Sequence, residues 1–200
     1  MAEAINTPLV DVKLPIWEMS DEEFTHFCMV NKKIRIERDK YGNIIIMPPL
    51  SPYVAHCKLE VAVELRNWQR KTGIGISCGS STGFQLSNGA VRAFSASWTS
   101  QERWNTLTKE QKDEFLPIAP DFIIEVRSKN YSLKQLQDMI QEWMENGTRL
   151  AWLIDPKDKT TYIYRENGTS KIVKGFDKKL SGEDVAVGFE LDLSLLLETL

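Results

Sequence analysis

The segment Ala119-Pro-Asp-Phe-Ile-Ile-Glu-Val-Arg-Ser128 decides how the chain is read. Its centre, Phe122 to Val126, is a short apolar and β-branched run of the kind that fills a buried strand, with charge at Asp121, Glu125 and Arg127. Side chains alternate along a strand, so Asp121, Ile123, Glu125 and Arg127 share one face and Phe122, Ile124, Val126 and Ser128 the other. Asp121 and Glu125 are then roughly 13 Å apart at ~3.3 Å per residue, too far to hold one metal ion. A magnesium site needs one or two carboxylates with oxygen ligands at ~2.1 Å, so Glu125 requires a partner from a neighbouring element. The other reading is a strand with charged ends, in which Asp121 starts the strand and Glu125 pairs with Arg127.

Outward from this strand, helices and strands interleave. Ser20-Asp-Glu-Glu23 has the form of a capping box, as do Thr108-Lys-Glu-Gln111 and Ser132-Leu-Lys-Gln135, and each predicts a helix start. The helix after Ser132 should end near Asn146-Gly147, where glycine can take the left-handed conformation. Ile34–Arg38 and Ile44–Met47 read as a hairpin around Tyr41-Gly42-Asn43. Pro48, Pro49 and Pro52 lead into a helix from about Val54 to Lys71 with Leu59, Ala62, Val63 and Trp68 towards a core. Short strands are expected at Ile74–Cys78, Phe84–Leu86, Ala90–Trp98, Arg149–Ile154, Thr161–Arg165 and Thr169–Val173, and a last helical piece near Ser194–Thr199. With no internal repeat and no linker, the expectation is one domain over residues 1–200, of mixed α/β class, built on a central mixed sheet flanked by helices.

Composition narrows the chemistry. The chain has 200 residues, 42% of them hydrophobic, enough for one proper core. No apolar run approaches the ~20 residues of a membrane span, and MAEAINTPLVDVKLP lacks the sections of a secretory signal, so a cytoplasmic protein with no membrane partner is expected. Cys28, Cys57 and Cys78 are widely spaced and accompanied by only two histidines, which points to buried reduced thiols and against a zinc site. Gly73-Ile-Gly75 lacks the rest of a phosphate loop and no G-x-S-x-G elbow occurs, so neither a nucleotide nor a serine-hydrolase site is indicated, and no haem site either. A net charge of −3 provides no global attraction to nucleic acid. Local basic clusters (Lys32, Lys33, Arg35, Arg38 and Lys40; Arg66, Arg70 and Lys71; Lys171, Lys174, Lys178 and Lys179) read individually as solvated turns and helix faces.

Five segments together carry a resemblance: Met19–Phe24, Ile44–Pro49, Ser81–Phe84 through Asn88–Arg92, Pro120–Val126 and Leu150–Pro156, with Leu180–Val185 and Gly188–Leu191 extending it. In order and spacing they resemble the putative restriction endonuclease family, a branch of the PD-(D/E)XK nuclease superfamily abundant in cyanobacteria. The resemblance implies a restriction-endonuclease-like fold and Mg²⁺-dependent cleavage of DNA, with metal held by an Asp and a Glu on adjacent strands and a Lys acting on the attacking water. It places the metal-binding Glu at Glu125 and an acidic helix residue at Glu60, which reads equally well as a solvent-facing position beside Glu64. Two family positions are substituted. Ser95 stands where the metal-binding Asp belongs, in Ala93-Phe-Ser-Ala-Ser-Trp98, and Met139 stands at the Lys position, where it also fits the apolar stripe of Leu136, Ile140 and Trp143. Arg127 occupies the older E-x-K lysine position; its charge suits a developing phosphorane, but guanidinium stays protonated and makes a poor general base. The expectation is impaired or absent cleavage. The alternative is a non-catalytic relative that binds DNA or protein, as a homodimer or with an active paralogue.

Overall fold

The computed structural model describes residues 19–197. Helix α1 (Asp21–Val30) precedes the hairpin strands β1 (Ile36–Arg38) and β2 (Ile44–Ile46), and the long helix α2 (Pro52–Thr72) follows. Strands β3 (Ile76–Gly79), β4 (Phe84–Gln85), β5 (Val91–Arg92) and β6 (Ala96–Thr99) lead to the short helices α3 (Gln101–Asn105) and α4 (Lys109–Lys112). Next come β7 (Phe122–Val126), α5 (Leu133–Glu145), β8 (Leu150–Asp155), β9 (Thr160–Arg165) and β10 (Ser170–Lys174). The strands β11 (Lys179–Ser181) and β12 (Glu190–Asp192) and a 3-10 turn (Leu193–Leu196) complete the described chain. All three expected capping boxes form, at α1, α4 and α5. Gly147, just past α5, takes a φ of 102°, which a side chain would resist.

Six strands form a mixed sheet in the order β10-β9-β8-β7-β6-β3. Within it β7 and β8 run parallel, joined through α5, and the other pairs are antiparallel. Because β7 and β8 are central, both of their faces must be covered, and the alternation of side chains divides the work. Phe122, Ile124, Val126, Trp152 and Ile154 join a cluster with Cys57, Val61 and Leu65 of α2 and with Phe189 and Leu191. Ile123, Ala151 and Leu153 pack on the other side with Leu136, Ile140 and Trp143 of α5. A smaller sheet, β2-β1-β5-β4, encloses a third cluster with Phe24 of α1, Ile44 and Val91. Arg38, one of the residues read as solvated, is buried here over the Phe24 ring and donates to the Gly89 carbonyl.

Three local expectations fail for identifiable reasons. Ala90–Trp98 is not one strand: Val91–Arg92 belongs to the small sheet and Ala96–Thr99 to the large one, and buried Ala93, Phe94 and Ser95 carry the chain between them. On α2, Ala62 and Trp68 pack against the core as expected, but Leu59 and Val63 are 60% and 41% exposed, and the inward face is centred on Cys57, Lys58, Val61, Leu65 and Gln69. A lysine and a glutamine occupy that face because each meets a partner: Lys58 reaches Glu125, and Gln69 donates to the Gly75 carbonyl at 2.9 Å. The cysteines are unbridged, yet only Cys57 is fully buried; burial pushes the half-buried Cys28 and Cys78 thiols up. Of the last helical piece, residues 198 and 199 lie outside the described residues. Among the described residues no helix is long and apolar enough to cross a membrane.

Candidate active site

The centre of the site is one rung of the β6–β7 ladder. Ala96 pairs with Ile124, so the preceding residue of one strand, Ser95, meets the following residue of the other, Glu125. Ser95 donates to Glu125 Oε2 from its amide at 2.9 Å and from its hydroxyl at 3.0 Å. The same hydroxyl accepts from the Val126 amide at 3.0 Å, so it bridges the two strands where their regular pairing ends. The other carboxylate oxygen, Oε1, accepts from Lys58 Nζ at 2.9 Å. Both side chains of this ion pair are about nine-tenths buried. Glu125 is therefore held by one ammonium and two neutral donors, all supplied by the protein.

Lys58 is the functional-site residue that reading the sequence missed. A signal for it exists: Lys58, Val61, Leu65 and Gln69 follow one another at helical spacing, so a charged residue sits on the stripe that faces the sheet. Glu60, two positions further on, points elsewhere; it lies 3.8 Å from His56 on the outer part of the helix. Arg127 does not pair with Glu125. Its guanidinium contacts Asp155 Oδ2 at 2.5 Å, at the end of β8, and its Nε donates to the Tyr131 carbonyl. Asp121 sits at the opposite end of β7, buried, accepting from the Ser100 amide at 2.7 Å and flanked by Arg103 and Arg149. Met139 packs against the α5-side core and lines an open groove of about 600 Å³ between α5 and the β1–β2 hairpin; Glu125 is not part of that lining.

Another buried carboxylate lies nearby and was also unforeseen. Glu37 on β1 is 4% exposed, with Arg35 at 3.6 Å and Arg92 at 3.7 Å, both beyond hydrogen-bonding distance. Burial raises its pKa, opposed by Arg92 and Arg35; the charges of Glu125 and Lys58 reach it too, with opposite signs. Arg92 also pairs with Glu142 of α5 at 3.1 Å, so a chain of charges ties the small sheet to α5. Burial likewise raises the pKa of the Tyr131 hydroxyl, with Glu37 reinforcing the shift.

For Mg²⁺ the centre offers one carboxylate, Glu125, and both of its oxygens are already engaged by Lys58 and Ser95. Among the described residues no three His, Cys, Asp or Glu side chains converge as metal ligands. Ser95 contributes a neutral hydroxyl, and the Lys58 ammonium already neutralises Glu125 where a cation would otherwise sit. A family model described as putative restriction endonuclease, Uma2, matches residues 21–194. No curated protein matches. Among solved structures, the fold resembles the crystal structure of a putative nuclease belonging to DUF820 from Anabaena variabilis. The TM-score is 0.69 at 21% identity, over 81% of this chain and 91% of that one.

Proposed function

The chain belongs to the putative restriction endonuclease family Uma2, and from that premise we propose that it is a nuclease-fold protein whose DNA-cleaving chemistry has been lost. One observation carries the proposal: both oxygens of Glu125 are engaged by Lys58 and Ser95. A hydrolytic site of this kind uses Mg²⁺ to bind the scissile phosphate and to lower the pKa of the attacking water. Here the lysine ammonium neutralises the one carboxylate that would hold the ion, and a serine replaces the second carboxylate. Arg127, held by Asp155, is left to contact phosphate without a metal beside it.

The surviving role is then binding rather than cutting, with DNA or a paralogous subunit as the partner. The competing reading is an active enzyme in which Glu125, released by Lys58, would hold Mg²⁺ and the lysine would act on the attacking water. It draws support from the presence of a lysine beside the glutamate.

Plasmid nicking and calorimetric metal titration separate the two. The wild-type protein should leave supercoiled plasmid intact in Mg²⁺ or Mn²⁺, and its titration with either ion should match that of Glu125→Ala. Nicking that disappears in Glu125→Ala, or metal binding that needs Glu125, would establish the active reading instead.

A further inference from the structure

A cavity of about 400 Å³ opens between the α1–β1 connection, the β3–β4 connection and β5, and neither Glu125 nor Ser95 lines it. Four cationic side chains, Lys32, Lys33, Arg35 and Arg92, stand around it, with Glu37 as an anion in the lining. In a chain of net charge −3 this is a local concentration of positive charge. The guanidinium of Arg35 is incompletely satisfied: its Nε is buried with no hydrogen-bond partner, and its contact with Glu37 is 3.6 Å. The Arg35 side chain as a whole is about one-third exposed at the cavity, so its guanidinium is open to an acceptor from outside.

The apolar part of the lining is as specific. Phe115 lines the same cavity, held against the backbone of Gly83, where an added Cβ would lie 2.4 Å from Phe115 Cδ1. Gly83 therefore permits the ring to lie where it does. Ile34 and Ile36 add aliphatic surface. The volume falls within the range of small-molecule sites, which combine an apolar wall with a few convergent polar groups.

We propose that this cavity binds a 5′-mononucleotide, its phosphate met by Arg35, Arg92 and the two lysines and its base lying against Phe115. Guanidinium recognises phosphate through paired donors, and an aromatic face accepts any base by stacking. No phosphate loop is involved: the phosphate-binding groups come from a turn, a strand end and a second strand that meet only in the fold. The proposal is independent of whether the protein cleaves DNA, because the residues at Glu125 take no part in it.

Calorimetry on the full chain tests it with adenosine 5′-monophosphate, adenosine, inorganic phosphate and a single-stranded oligonucleotide as probes. The monophosphate should bind, and at least about tenfold more tightly than adenosine or inorganic phosphate, since each contributes only half of the contacts. Arg35→Gln should weaken that binding about tenfold or more, the loss expected for one charge-assisted hydrogen bond. The double variant Lys32→Gln, Lys33→Gln changes exposed residues only and should also weaken it, whereas Lys171→Gln, Lys174→Gln on the remote strand β10 should not. The proposal is overturned if the monophosphate does not bind or if the lysine and arginine variants bind it as well as the wild type does. Phosphate alone binding equally well removes the base site, and preference for the oligonucleotide makes the cavity part of a nucleic-acid path.

Discussion

Two buried glutamates, on strands of different sheets, show opposite solutions to the same problem. Glu125 on β7 has one ammonium at 2.9 Å and two neutral donors at 2.9 and 3.0 Å, so each of its oxygens is hydrogen-bonded. Glu37 on β1 has two guanidinium groups beside it, but at 3.6 and 3.7 Å. Coulomb attraction acts in both places; good hydrogen-bond geometry only in the first. Charge near a buried carboxylate is thus not sufficient to close a site. The satisfied glutamate is the one that the resemblance in sequence singles out as a metal ligand, and the less satisfied one borders a cavity.

The largest expected effect breaks the first arrangement. Lys58→Ala leaves Glu125 buried without its counter-charge and should cost about 3–5 kcal/mol, measured by urea denaturation at neutral pH. A loss below about 1 kcal/mol would show that the ion pair contributes little to holding α2 against the sheet.

Ser95→Ala is expected to cost less, about 1–3 kcal/mol in the same assay, because it removes one donor to Glu125 and the acceptor of the Val126 amide while the Ser95 amide contact persists. An unchanged denaturation midpoint would mean that the serine is not the strand bridge described above.

The smallest effect concerns Glu37 and depends on pH. Its carboxyl binds a proton more tightly in the folded state than at its ordinary value of 4.5. Its contribution to stability is therefore greatest below that value and declines as pH rises through the raised folded-state pKa. Glu37→Gln removes this dependence, so the stability of wild type relative to the variant should fall between pH 4 and pH 8. A constant difference across that range would remove the contrast with Glu125.

Much of the fold was legible because its signals are local. The capping boxes at Ser20, Thr108 and Ser132 specify hydrogen bonds within four residues, and all three form. The apolar run at Phe122–Val126 reads as a buried strand, and the structure covers both of its faces. What escaped was short or shared between elements. The five-residue helix α3 and the strands β11 and β12 are too brief for periodicity to register, and Phe94 and Ser95 look like strand residues although they carry the chain between sheets. The centre of the inward face of α2 was hidden for a different reason: hydrophobicity ranks Leu59 above Lys58, and only the partner on β7 reverses that order.

The candidate site divides the same way. Sequence by itself determined that Glu125 lies on a buried strand and that Asp121 is too far along that strand to join it, while the departures at Ser95 and Met139 are what the family resemblance implies. Tertiary structure decided what those facts amount to. It brought Ser95 to the same rung as Glu125, sent Arg127 to Asp155 and left Glu60 beside His56. It also inserted Lys58, 67 residues away in sequence, against the carboxylate. Spacing along a chain fixes which neighbours share a face, but the charge that neutralises a buried carboxylate comes through space from another element.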